Sequence, residues 1–188
     1  MKKAIVLLAD GFEEIEAITP IDYLRRAGID VTVASISKSL TVAGRWSGIK
    51  MIAGAALEEQ ISINKEYKNW DAVIIPGGIP GATNLAASHE VCTLLNEMAI
   101  TGKLICAICA SPAVVLAPLG LLAGKKYTCY PRMEERVTDG IWSEDRVVVD
   151  GNLITSRGAG TAGEFAIAII KKLLDEATAK KIAEAVLL

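Results

Sequence analysis

The stretch KAIVLLADGFEEIEAITPIDYLRRAGIDVTVASI, residues 3–36, decides the fold. Residues 3–9 are apolar almost throughout, the pattern of a strand covered on both faces of a parallel sheet. Asp10-Gly11 turns the chain. From Glu13 onward Ile15, Ala17, Ile18, Ile21, Leu24 and Ala27 follow helical spacing, Arg25-Arg26 complement the C-terminal dipole and Gly28 supplies the stop. Asp30–Ile36 is a second strand. A strand, a helix and a strand within about 35 residues imply a right-handed crossover and a parallel sheet.

The same alternation continues outward from this unit. Trp70–Ile75 reads as a third buried strand, ended by Pro76-Gly77-Gly78-Ile-Pro80-Gly81. A glycine pair directly after a strand lets backbone N–H groups approach a ligand, so Gly77 and Gly78 are candidates for an oxyanion site. The Lys-Ser/Thr ending of a phosphate loop is missing. Ser88 caps a helix with Val91, Leu94, Leu95 and Met98 on one face. Residues 37–64 are less regular, with Thr41–Gly44 and Ile49–Ala53 readable as a hairpin around Trp46-Ser-Gly48 and a helical turn at Leu57–Ile61. Tyr127–Pro131 reads as a short strand ending in a Tyr-Pro turn. Arg146–Ser156 reads as a hairpin with Asp150-Gly-Asn152 at its tip. Ala162–Leu174 and Asp175–Leu188 read as two amphipathic helices. The expected fold is one α/β domain over residues 1–188, a flavodoxin-like three-layer sandwich with a mostly parallel central sheet.

Composition agrees with an enzyme-sized body. The 188 residues are 52% hydrophobic, enough for one substantial core. A net charge of −2 with no basic run leaves no footprint for nucleic acid or an acidic membrane surface. No apolar run has the length of a membrane span, and the apolar run after Met1-Lys-Lys is too short, and ends too abruptly in Asp10-Gly-Phe-Glu-Glu, for a signal peptide. Cys92, Cys106, Cys109 and Cys129 are unevenly spaced, which fits reduced thiols in the cytoplasm.

Lys103-Leu-Ile-Cys-Ala-Ile-Cys-Ala-Ser-Pro112 changes character at Cys109. It is a buried strand before that residue and the first turns of a helix from Ser111, with Pro112 near N1. Cys109 therefore stands on a nucleophile elbow, where the free N–H groups of a helix start lower a thiol's pKa. Free cysteines are also common small core residues, and both readings of Cys109 stand at this point. Cys106 lies within the strand and reads as core. The sole histidine, His89, falls at a helix start far from the cysteines, so no metal site and no cofactor are expected. A base for the thiol must then be a carboxylate. Glu13, Glu14 and Glu16 follow the first strand; acids there complement the helix dipole, but Glu16 lies between Ile15 and Ala17 and can face inward as a protonated partner.

Asp10-Gly-Phe-Glu-Glu-Ile-Glu16, Pro76-Gly77-Gly78, Ala107-Ile-Cys109-Ala110-Ser-Pro112 and Thr155-Ser-Arg157-Gly-Ala-Gly160-Thr161 together resemble the ThiJ/PfpI family, in its DJ-one-like branch, over the whole chain in order. The resemblance implies that Cys109 is an oxidisable nucleophile, Glu16 its protonated hydrogen-bond partner, and the Gly78 and Ala110 amides the oxyanion donors. Glu13, Tyr130, Cys129 and Arg157 would form the surrounding layer. It also implies a cytoplasmic homodimer with the first helix in its interface, without cofactor. The implied activities are glyoxalase or deglycase action on α-oxoaldehydes such as methylglyoxal and on glycated adducts, redox sensing through cysteine sulfinate, and chaperoning. Some relatives are proteases or amidotransferases, and others carry a thiazole-biosynthesis label. Many relatives place a histidine before the proline at 131, where this chain has Tyr130. A phenol near pKa ~10 does not replace imidazole as a base at neutral pH, which argues against protease-like chemistry. Cys129 reads as a packed thiol or as a thiol that resolves a sulfenic acid on Cys109.

Overall fold

The structure is a computed structural model that describes residues 1–46, 48–64 and 69–188. Strand β1 (Lys3–Leu8) leads through α1 (Glu14–Arg26) to β2 (Asp30–Ser35), and β1 and β2 pair in parallel, as the opening stretch predicts. A hairpin of β3 (Thr41–Ala43) and β4 (Lys50–Ile52) follows; the expected tip includes Ser47, which lies outside the described residues. Next come β5 (Ala55–Ala56), α2 (Leu57–Asn64), β6 (Ala72–Ile75), α3 (Gly81–Ala87), α4 (His89–Ile100) and β7 (Leu104–Ile108). Two short strands, β8 (Lys126–Tyr127) and β9 (Ile141–Trp142), pair with each other. The chain ends with β10 (Val147–Asp150), β11 (Leu153–Ser156), α5 (Ala162–Leu173) and α6 (Glu176–Ala185).

Seven strands form one sheet in the order β10-β11-β7-β6-β1-β2-β5, parallel throughout except for the β10–β11 hairpin at one edge. This is the flavodoxin-like arrangement the alternation predicts. Because side chains alternate along a strand, each central strand feeds two cores. Ala4, Val6 and Leu8 of β1 and Cys106 and Ile108 of β7 pack under α1, α5 and α6, where Leu24, Phe165 and Ile169 are fully buried. Ile5 and Leu7 of β1 and Ile105 and Ala107 of β7 pack on the other face, against Leu85, Leu94 and Leu116.

Three elements depart from the sequence reading. Helix α3 was hidden in a stretch that reads as a glycine-proline loop, and only its buried Ala82 and Leu85 give it an apolar side. The helix after the elbow is not regular. Pro112–Leu116 is a π turn, with the Ala117 N–H donating to the Pro112 carbonyl, and Ala117–Leu119 is a 3₁₀ turn ended by Gly120. Pro118 has no N–H to continue an α-helical ladder, so the coil widens one residue before it and stops soon after. The expected strand 127–131 stops at Tyr127. Beyond it the Thr128 N–H turns to Thr155 Oγ1 at 2.9 Å and the Tyr130 N–H to the Cys109 carbonyl at 2.8 Å.

Candidate functional site

The order of the sheet reverses between β1 and β6, and the crevice outside the carboxyl ends of those strands is where an open α/β sheet binds its ligands. Three loops meet there. The loop after β1 enters α1 through Glu13, which caps the helix by accepting the Glu16 N–H at 2.8 Å. The loop after β6 is Pro76-Gly77-Gly78, and the loop after β7 is Cys109 itself.

Cys109 has φ +65, a left-handed conformation that costs a non-glycine residue on the order of 1 kcal/mol. The surrounding backbone holds it there: its N–H donates to the Ser156 carbonyl at 2.9 Å, and its carbonyl accepts from Tyr130. The Ser111 hydroxyl, in the first turn after the elbow, donates to the Pro76 carbonyl at 2.6 Å and fixes the elbow against the glycine pair. A Cβ on Gly77 would stand 2.6 Å from Cys109 Cβ and 2.6 Å from Glu16 Oε2, so the thiol and the carboxyl both lie directly on this glycine. Gly78 has φ +88 and its Cα packs against the Gly11–Glu13 backbone, so no side chain fits there either.

Glu16 faces inward, with 1% of its surface exposed. It accepts hydrogen bonds from the Gly77 N–H at 2.8 Å and from the Ala159 N–H, and it bonds the Cys109 thiol. Burial first, and then the charge of Glu13, push its pKa up to about 7 despite these donors. Glu13 is itself raised, mainly by burial. The Cys109 thiol receives the Gly78 and Ala110 N–H groups, which lower its pKa as the elbow geometry predicts. Burial, the nearby Glu16 charge and the Glu16 hydrogen bond act the other way and prevail, so the thiol is raised while Glu16 is charged. This corrects the expectation of a simply lowered thiol. Glu16 and Cys109 are coupled: a neutral Glu16 removes the repulsion and offers an O–H, leaving burial alone to oppose the thiolate and the two amides to favour it.

A cleft of about 380 Å³ opens above this pair, lined by Glu13, Glu16, Gly78, Cys109, Ala110 and Tyr130 and closed by Arg45, Trp46, Ile79, Met133 and Ala159. Tyr130 stands at its mouth, half exposed. Arg45 and Trp46 were missed by the sequence reading. The loop after β1 carries them in: the Gly11 N–H donates to the Ala43 carbonyl and the Arg45 N–H to the Phe12 carbonyl, and the Arg45 guanidinium then lies 4.3 Å over the Trp46 ring. Cys129 and Arg157 are not among the described lining residues. Cys129 is buried, its thiol pushed up to about 12 by burial and then by Glu134, with Arg157 opposing. Arg157 donates to the Glu144 carbonyl at 3.1 Å. Among the described residues no group of three or more His, Cys, Asp or Glu could hold a metal ion.

A doubly wound sheet whose switch-point crevice holds a strained cysteine over a glycine pair, with a buried glutamic acid against it, defines a flavodoxin-like fold built around an elbow thiol. More narrowly, the chain belongs to the DJ-1/PfpI family, whose sequence model matches residues 2–172. Protein DJ-1 homolog B of Arabidopsis thaliana is 45% identical over 168 residues, 89% of this chain. The chain spans less than half the length of that protein and of its Arabidopsis counterpart homolog A, 37% and 45% respectively. A Caenorhabditis elegans protein named glutathione-independent glyoxalase DJR-1.2 is 37% identical over 177 residues, 92% of this chain and 89% of its own. The structure of oxidized Toxoplasma gondii DJ-1 superposes with a TM-score of 0.93 at 38% identity, over 100% of this chain and 98% of that one.

Proposed function

We propose that this chain, as one functional unit over residues 1–188, is a cofactor-independent glyoxalase or deglycase that protects against reactive α-oxoaldehydes. The observation that carries the reading is the Glu16–Cys109 pair at the floor of an open cleft, with the Gly78 and Ala110 amides on the sulfur. The glyoxalase name of the Caenorhabditis relative supports it.

The thiolate adds to the aldehyde carbon of methylglyoxal, and the oxygen that gains charge takes the Gly78 and Ala110 N–H groups. Glu16 carries the proton given up by that carbon to the neighbouring ketone carbon, which becomes the secondary alcohol. The resulting thioester is cleaved by water to lactate and the free thiol. One carbon is oxidised, its neighbour is reduced and one water is added, so no external oxidant enters. Hemithioacetals and aminocarbinols of glycated thiols and amines present the same carbon and fit the same site. Tyr130 at the mouth supplies no base at neutral pH, which speaks against peptide cleavage.

A second reading, the oxidation of Cys109 to a sulfinate read by partners, draws support from the oxidized state of the Toxoplasma relative. The two readings share a stress-protective role. The homodimer through α1 belongs to the same proposal, supported by Ile15 and Ile18, which stand 53% and 41% exposed on that helix. A cytoplasmic location is part of it too; the four cysteines are free, and among the described residues no helix is long and apolar enough to cross a membrane. The deciding experiment follows lactate formed from methylglyoxal. Cys109→Ser and Glu16→Ala are expected to lose it, and normal turnover by either variant sinks the enzymatic reading.

A further inference from the structure

We propose that Cys129 is a resolving cysteine: once a hydroperoxide has oxidised Cys109 to the sulfenic acid, the Cys129 sulfur attacks it and closes an intramolecular Cys109–Cys129 disulfide. The chain is then a two-thiol reductant of hydroperoxides. The inference rests on Cys109 being the reactive thiol and adds a second residue to its chemistry.

Backbone geometry singles out Cys129. The Tyr130 N–H donates to the Cys109 carbonyl at 2.8 Å, so the Cys129–Tyr130 peptide lies directly against the elbow. By that bond Tyr130 is the residue that faces Cys109, and Cys129 is its immediate neighbour in the chain. The Cys129 side chain is buried in the core on the α4 side of the sheet, and Cys109 packs against that core as well as against the one under α1 and α5. Neither remaining thiol is placed this way. Cys106 is sealed in the opposite core under α1 and α5, and Cys92 lies on α4 with its Sγ toward the Ala86 carbonyl.

The surroundings of Cys129 supply what a resolving thiol needs. Glu134 acts on the Cys129 thiol electrostatically, and its Oε2 is buried with no hydrogen-bond partner among the described residues. It is placed to take the thiol proton as the S–S bond forms. The Arg157 guanidinium acts in the opposite sense and favours the thiolate. The Cys129 thiol does not ionise freely at neutral pH, so it stays inert until a sulfenic acid appears beside it.

The chemistry balances. The Cys109 thiolate attacks the terminal peroxide oxygen, the O–O bond breaks, and an alcohol leaves with one proton. The Cys129 sulfur then displaces the sulfenic hydroxyl, which departs as water with a proton from Glu16, while Glu134 receives the proton of Cys129. Two thiols lose two hydrogens, the peroxide becomes alcohol and water, and an external dithiol restores the starting state.

The test treats the whole chain with one equivalent of hydrogen peroxide, blocks residual thiols with N-ethylmaleimide and digests with trypsin without reductant. The peptides Leu104–Lys125 and Tyr127–Arg132 are expected as one cross-linked species, two hydrogens lighter than the pair, with fragmentation placing the link at Cys109. Cys129→Ser is expected to abolish the species and let Cys109 accumulate as sulfinate or as a dimedone adduct. Glu134→Gln should slow the cross-link while Cys109 loses its free thiol at the original rate. Oxygen gain on Cys109 with Cys129 fully alkylated, or a link to Cys106, overturns the resolving role and leaves the reactive thiol standing. No oxidation of Cys109 at all overturns both.

Discussion

The Gly77 N–H donates to Glu16 Oε2 at 2.8 Å, and the same glycine's Cα lies where any Cβ would touch both Glu16 and Cys109 at 2.6 Å. One residue therefore orients the carboxyl and makes room for the sulfur.

Gly77→Ala tests that double role. The added methyl must displace the thiol or the carboxyl, and overpacking of this kind costs roughly 1–3 kcal/mol. The expected result is a modest fall in the urea midpoint together with a much larger loss of lactate formation. Equal losses in both would mean that Gly77 matters only for packing.

Glu16 should leave a signature in stability against pH. Its folded pKa of about 7 lies above the ordinary carboxyl value of 4.5, so the folded chain binds the extra proton between these two values. Stability is then greatest at the acidic end of that window and falls as pH rises from about 4.5 to 7, by roughly 3 kcal/mol for a shift of this size. Glu16→Gln removes the titrating group and should flatten that slope in denaturant titrations. In the wild-type chain Cys109 alkylation should stay slow as pH rises through about 7, because the charge that Glu16 gains there raises the thiol. In Glu16→Gln the inflection should move downward, because the Glu16 charge is gone and burial alone then opposes the thiolate.

Ser111→Ala removes the 2.6 Å bond from the elbow to the Pro76 carbonyl. An orphaned buried acceptor costs about 1–3 kcal/mol. Thermal unfolding should register that loss, and KM and kcat should both worsen if the bond also keeps Gly77 and Gly78 in register with Cys109. Ser111→Cys, which keeps a weak donor, is expected to recover part of it.

How much of this site could be read from residues alone depends on whether the signal is local. Glu16 was legible only in part: its apolar neighbours Ile15 and Ala17 pointed it inward, yet Ile15 stands 53% exposed, and the residues that share the buried side of α1 with Glu16 are Ala17, Pro20 and Leu24. The elbow was legible because an apolar strand runs into Ser111-Pro112, a helix start, with no residues left over for a loop. Arg45 and Trp46 were not. They reach the cleft only because the hairpin carrying them is bound to Gly11 and Phe12, more than thirty positions away in sequence. The Ala159 donor was half legible: Gly158 and Gly160 flank it, and glycines that follow a strand allow a close backbone approach without saying to what. Helix α3 was lost because its buried side is small and follows Pro80-Gly81, whose turn chemistry is the stronger local signal.

The left-handed backbone at Cys109 yields the last prediction, a comparison of two substitutions that both remove the thiol. Alanine in a helix or strand is ordinarily the more stable choice over glycine by roughly 0.5–1 kcal/mol, because glycine loses more freedom on folding. At φ +65 the order should reverse, since only glycine adopts that conformation without its Cβ meeting the following carbonyl, a penalty of about 1–2 kcal/mol. Cys109→Gly should therefore match or exceed Cys109→Ala in urea midpoint. Both variants leave Glu16 without the thiol and both lose activity, so the difference between them reports backbone strain and not chemistry. A Cys109→Ala midpoint clearly above that of Cys109→Gly would show that the elbow relaxes once the thiol is gone, and that its hydrogen bonds to the Ser156 carbonyl and from the Tyr130 N–H do not hold it.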